Sequence, residues 1–261
     1  LPATILVSLD RVTFASTAWK LPLAACLVTL PLVLLSWPLV RVLHPARPTQ
    51  GGLLLAIGCI NSVYFAYPVA LATFGQEGLA QAILSDLGQT TITLTALYAL
   101  ALWHGSASPT AGSAIMRMFS APPFWALVLT AVLKTTGLYL PSWLREILTP
   151  VHMTTTPLAS LVLGLSISVA AVRRTLALSC LGVAVRMLGG FLFGWIAVSL
   201  LQLTGVERAV VILIAGMPSA VIFATETGLD EDLVASIVAL SICLGVALLP
   251  WLPKLAAALP G

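Results

Sequence analysis

Apolar residues fill the chain in runs of roughly 20 or more, separated by short polar connections, and a run of that length can cross a bilayer as a helix. The runs lie at 19–40, 50–74, 77–103, 122–137, 141–172, 175–202, 206–228 and 231–252, and 1–9 reads as the tail of a further span. The run 122–137 is short, so it must tilt or lean on neighbours. Residues 104–121, rich in Gly, Ser and Pro, form the long polar connection and read as the boundary between halves. Two runs are interrupted. Gly58-Cys59-Ile60-Asn61-Ser62-Val63-Tyr64-Phe65-Ala66-Tyr67-Pro68 carries an Asn in its middle and ends in a proline, where a break is expected. Gly216-Met217-Pro218-Ser219-Ala220 interrupts 206–228. Proline removes a backbone donor and clashes with the preceding turn. In lipid, a broken helix survives only where protein or a water-filled cavity satisfies the freed groups. Paired broken spans in corresponding places of two halves point to a transporter's binding site.

The halves repeat. Leu1-Pro2-Ala3-Thr4-Ile5-Leu6-Val7-Ser8-Leu9 is similar to Thr156-Pro157-Leu158-Ala159-Ser160-Leu161-Val162-Leu163-Gly164. Each broken span ends in a glycine and an acidic turn, Gly75-Gln76-Glu77 and Gly228-Leu229-Asp230. An odd number of spans per half makes the second half enter the membrane in the opposite sense. The expected fold is therefore an all-α integral membrane protein of inverted five-helix repeats with two broken, crossing helices. The first repeat is 1–103, the inter-repeat loop 104–121 and the second repeat 122–254. The first helix of the first repeat, the counterpart of 122–137, is read as absent, leaving an apolar groove where it would pack.

Composition narrows the function. Of 261 residues, 59% are hydrophobic and 8% charged, against about 25% charged in soluble domains. Mean hydropathy is +1.07. The net charge of +3 is spread thinly, with no basic cluster interleaved with aromatics, so nucleic acid is not an expected partner. Cys26, Cys59, Cys180 and Cys243 sit in apolar runs without a CxxC pair, and His44, His104 and His152 are far apart. No metal or cofactor is expected. No Ser/His, His/Glu or paired-Asp arrangement falls on adjacent spans, so an enzyme is not expected. Six of the seven Trp lie near span ends, as an aromatic belt predicts, with Trp195 the exception. Arginines and lysines divide almost evenly between the two sides, so orientation stays open. Leu1 begins inside apolar sequence, and no cleavable signal peptide is read there.

In their order and spacing these motifs resemble the auxin efflux carrier family, which includes plant auxin carriers and bacterial carriers of small organic acids. The family's first broken helix reads roughly Gly-Asn-Thr-Gly-Phe-x-Gly-x-Pro, matched here by Ile60-Asn61-Ser62-Val63-Tyr64-Phe65-Ala66-Tyr67-Pro68. Its Gly-x-x-Gly turn is matched by Gly75-Gln76-Glu77-Gly78, and its Met-Pro-Thr-Ala by Met217-Pro218-Ser219-Ala220. Ile60 and Ala66 replace family glycines, and Ile222 stands where bacterial members often have Asn. The resemblance implies a scaffold, 1–9 plus 122–172, and a transport core, 19–103 plus 175–252. It implies a multi-pass protein of the inner or plasma membrane.

The expected function is secondary active transport, exporting or exchanging a small organic anion by alternating access, with homodimer assembly open. Two alternatives are a sodium-coupled symporter of the bile-acid-symporter type and a membrane sensor or scaffold without transport. The expected substrate site is a cavity at the crossing, lined by Asn61, Ser62, Tyr67, Pro68, Met217, Pro218 and Ser219. Converging N–H donors and positive helix ends suit a carboxylate. Asp86, Arg186 and Glu226 are the candidates for ion or proton coupling, since ionisable residues inside a span face an interior or a pathway. For Asp86 and Arg186 the competing reading is a structural ion pair, and for Glu226 an interfacial cap. Lys20 and Lys134 are expected to snorkel.

Overall fold

The computed structural model describes residues 2–10, 18–43, 45–105, 122–165, 169–220 and 224–251. In chain order these form α1 (Pro2–Asp10), α2 (Lys20–Val42), α3 (Arg47–Gly58), α4 (Tyr67–Ile92), α5 (Tyr98–His104), α6 (Pro122–Thr136), α7 (Ser142–Leu165), α8 (Val169–Ala184), α9 (Gly190–Leu201), α10 (Gly205–Ala215), α11 (Ala224–Thr227) and α12 (Glu231–Leu248). Three π turns join them: Ser62–Ala66 into α4, Thr93–Leu97 between α4 and α5, and Val185–Gly189 between α8 and α9. Among the described residues there is no strand, only an isolated bridge between Ile60 and Ser219.

Among the described residues, three helical stretches are long and apolar enough to span a membrane: Lys20–Val42, Val172–Leu201 and Glu231–Trp251. Their outer faces carry large, mostly exposed apolar side chains, such as Leu34, Leu35, Leu188, Leu192 and Leu200. In water such a surface would drive aggregation, and in lipid it needs no cover.

Local chemistry explains the ends. Gly75 bends the α4 rod at φ 68, ψ −157, a region open essentially only to glycine. The turn after α11 has Gly228 at φ 69. Asp230 then caps α12, its carboxylate accepting the Leu233 N–H at 3.1 Å, and Glu231 and Asp232 follow in the first turn, where negative charge suits the helix dipole. Asp230 also accepts from the Thr49 hydroxyl at 2.8 Å, tying the start of α3 to the start of α12. Lys20 donates to the Leu201 carbonyl at 2.8 Å, so it caps the end of α9 rather than reaching outward; a cation at a helix C-terminus gains from the same dipole.

The core is built around α3, whose residues 51–58 are all buried. It packs against α2, α5, α8 and α12. α1 packs separately against α6 and α7.

Candidate functional site: the crossing of two broken helices

The first break comes earlier than proline chemistry suggests. α3 stops at Gly58, and Cys59 (φ −83, ψ 133) and Asn61 (φ −81, ψ 73) leave the helical region. The chain restarts at Ser62 as a π turn, with Ala66 N–H donating to the Asn61 carbonyl at 3.0 Å and Tyr67 N–H to that of Ser62. Pro68 lies in the opening of α4, where a missing N–H is tolerated. The break, expected from Asn61 to Pro68, is thus at residues 59–61 and shares only Asn61 with that range. The second break lies where its sequence placed it: α10 ends at Ala215, and 217–220 are non-helical.

The two breaks meet. Ile60 and Ser219 form an antiparallel bridge, and Asn61 N–H donates to the Pro218 carbonyl at 2.9 Å. A buried interruption must account for each freed carbonyl, and here side chains from several elements do so. At the end of α3, the Ser219 hydroxyl donates to Ala56 O at 2.5 Å. Arg186 Nη1 donates to Ile57 O at 3.2 Å, and Gln89 Nε2 to Gly58 O at 2.8 Å. At the end of α10, Arg186 Nη2 donates to Ala215 O at 2.9 Å and Nε to Met217 O at 3.3 Å. Ser219 N–H donates to Ser241 Oγ at 3.1 Å. The carbonyl ends of both breaks are therefore closed by protein, where a ligand or water was expected to serve them.

Arg186 is fully buried and does not pair with Asp86. Its hydrogen bonds all go to backbone oxygens. It sits in the π turn Val185–Gly189, and Gly190 just beyond lets α9 approach so closely that a Cβ there would run into the Ala215 carbonyl oxygen. Asp86 instead accepts the Tyr67 hydroxyl at 2.9 Å, with the Ser62 hydroxyl beside it. The expected Asp86–Arg186 pair fails because the helix ends already supply the negative field that Arg186 needs. Glu226 falls in α11 and Lys134 in α6; their side chains, and Ile222, lie outside the described residues.

Two neighbouring polar side chains at the crossing, Asn61 and Ser62, each keep a buried oxygen without a hydrogen-bond partner. Asn61 is 3% exposed, and its Oδ1 has no hydrogen-bond partner. It occupies the N-cap position of the restarting helix without capping it. Close by, a cavity of about 540 Å³ reaches the second break, lined by apolar side chains including Phe65, Met187, Phe191, Met217, Pro218 and Leu244. Met217 and Pro218 are the members of the expected set that line it. Asn61, Ser62, Tyr67, Pro68 and Ser219 do not. Asp86 faces a much smaller void, with Ile60, Ser85, Gln89 and Ala215.

Gln89 escaped the sequence reading. It donates to Gly58 O, accepts from Thr29 at 2.5 Å and neighbours Thr93 at 3.3 Å. An amide deep in an apolar run was a sufficient signal, since polar groups there are expensive to strand.

Two interrupted helices that touch inside a multi-pass helical membrane protein are an architecture found among membrane carriers. The comparisons with known proteins agree. Residues 1–252 match the family described as membrane transport protein, and the chain belongs to that family, the auxin efflux carrier family. It is similar to an uncharacterized transporter of Methanothermobacter thermautotrophicus, 35% identical over 76% of this chain and 66% of that protein. It is also similar to an uncharacterized transporter of Methanocaldococcus jannaschii, 28% identical over 90% of this chain and 79% of the relative. The chain thus spans just under two thirds of the first relative's length.

Proposed function

We propose that the chain carries a small organic anion with an apolar body, exporting or exchanging it by alternating access, and that the acid group binds at Asn61. The observation that carries this reading is the buried Asn61 Oδ1, left without a hydrogen-bond partner where the breaks touch. Burying an amide without a partner is unfavourable, so a bound group that completes it is favoured. Rotation about χ2 exchanges the amide's two ends, so Asn61 can present N–H donors to a carboxylate. The helix restarting at Ser62 adds the partial positive charge of its N-terminus. The cavity bordered by Phe65, Met217 and Pro218 offers room for the apolar part. Asp86, hydrogen-bonded to Tyr67 and beside Ser62, is the proposed proton-responsive group.

The test is a thermal-shift screen of carboxylates on the purified protein, followed by flux in proteoliposomes. A ligand that binds only the folded state raises its apparent stability. Asn61→Ala should weaken the response to the best carboxylate by roughly 1–3 kcal/mol and leave the ligand-free melting midpoint nearly unchanged. Unchanged binding and flux in Asn61→Ala would remove Asn61 from the site.

A further inference from the structure

Arg186 is a cation with no exposed surface, and no carboxylate lies within ion-pair distance of it among the described residues. Burying a charge without compensation costs several kcal/mol, so its surroundings must supply the opposite charge. They do so through the backbone. Ile57 is the penultimate residue of α3 and Ala215 the last of α10, and Met217 lies two residues beyond, after Gly216. Each helix C-terminus carries about −0.5 elementary charge, so two of them converging on one point supply about one negative charge, equal and opposite to one guanidinium. The geometry fits as well as the charge. Nε, Nη1 and Nη2 each reach a different carbonyl, at 3.3, 3.2 and 2.9 Å, using the guanidinium's fixed fan of donors. Unwound carbonyls and half-helix C-termini are also what carriers use to hold a coupling sodium ion.

We infer that the crossing is a monovalent-cation site, with Ile57, Ala215 and Met217 carbonyls as its ligands, occupied permanently by the protein's own Arg186, so that transport takes up no coupling cation there. The site and its occupant stand on the geometry alone; the coupling consequence rests on the transport reading.

The experiment uses the full chain, purified in detergent, and follows its melting midpoint. Wild type should give the same midpoint in sodium chloride and in choline chloride at equal ionic strength. Arg186→Lys, which keeps a charge, should melt above Arg186→Met, which keeps bulk and loses it. Arg186→Ala should melt lowest in choline and regain several degrees when millimolar guanidinium, methylguanidinium or sodium is added, while wild type gains nothing from the same additions. The inference is overturned if sodium stabilises wild type over choline, if Lys and Met variants melt alike, or if no small cation rescues Arg186→Ala. Should Arg186→Ala fail to fold, the first two comparisons still decide. In proteoliposomes, a wild-type flux that requires sodium would sink the coupling consequence. Failure of the carboxylate reading would show separately, as a flux indifferent to Asn61→Ala.

Discussion

Asn61 and Gln89 are both amides buried near the first break, and they play opposite parts. Gln89 uses its donors and acceptor within the protein, holding Gly58 O and Thr29 together. Asn61 leaves its oxygen unmatched. An amide that is satisfied internally belongs to the fold, and one that is not is free to serve a ligand. The same distinction governs Asp86. Had it paired with Arg186, Asp86→Asn would strand a buried charge and cost about 3–5 kcal/mol. With Arg186 anchored to carbonyls, the substitution changes the bond to Tyr67 and the contact with the Ser62 hydroxyl, and the expected loss is about 1 kcal/mol. Chemical denaturation of both proteins in the same detergent measures it; a loss near the ion-pair figure would restore the pairing. If Asp86 is the proton-responsive group, the same variant flattens the pH dependence of flux. Depth in an apolar run was enough to single out Asp86 and Arg186 from sequence. Their partners were not legible, because the groups that neutralise Arg186 are main-chain carbonyls, which every residue carries.

At the scale of elements, the ends of the broken spans were readable and the extent of the first break was not. Gly75 and Gly228 stood out as glycines before acidic turns, and both have positive φ in the structure. Pro68 stretched the expected break from Asn61 to itself, whereas the chain turns helical again at Ser62 and confines the interruption to 59–61. A proline marks a constraint on the helix, and where the helix yields depends on which neighbours can take up its free carbonyls. Here Arg186, Gln89 and Ser219 stand beside residues 56–58, so the helix ends there. Gly75 separates strain from packing cleanly, since a Cβ on it would meet open space. Gly75→Ala should therefore cost about 1–3 kcal/mol from backbone strain alone. Equilibrium unfolding would register it, and a neutral result would mean that the bend relaxes without the left-handed conformation.

Across the whole molecule, α1 with α6 and α7 forms one packed group, and the helices around the crossing form another. The groups touch where α7 meets the π turn Ser62–Ala66 and α1 meets α4. The all-α membrane fold was legible from run lengths. The assignment of α1 to the second half's helices came only with the family resemblance, because side-chain pattern within one run does not say which distant run it meets. The bond that fixes this packing is electrostatic. Asp10 is 4% exposed, forms an ion pair with Arg145 of α7, and accepts the Leu140 N–H at 2.8 Å. Removing Asp10 strands both donors. Arg145 retains 21% exposure and can be partly hydrated, so Asp10→Ala should cost about 3 kcal/mol, the low end for a broken buried pair. Asp10→Ala combined with Arg145→Ala should recover part of that loss, since no charge is then left unpaired. Neither variant alters a residue of the crossing, so the thermal shift produced by a bound carboxylate should be the same size as in wild type, starting from a lower midpoint. A shift that disappears together with the Asp10–Arg145 pair would mean that the two groups do not hold their structure independently, and that the site at Asn61 depends on how α1 is seated.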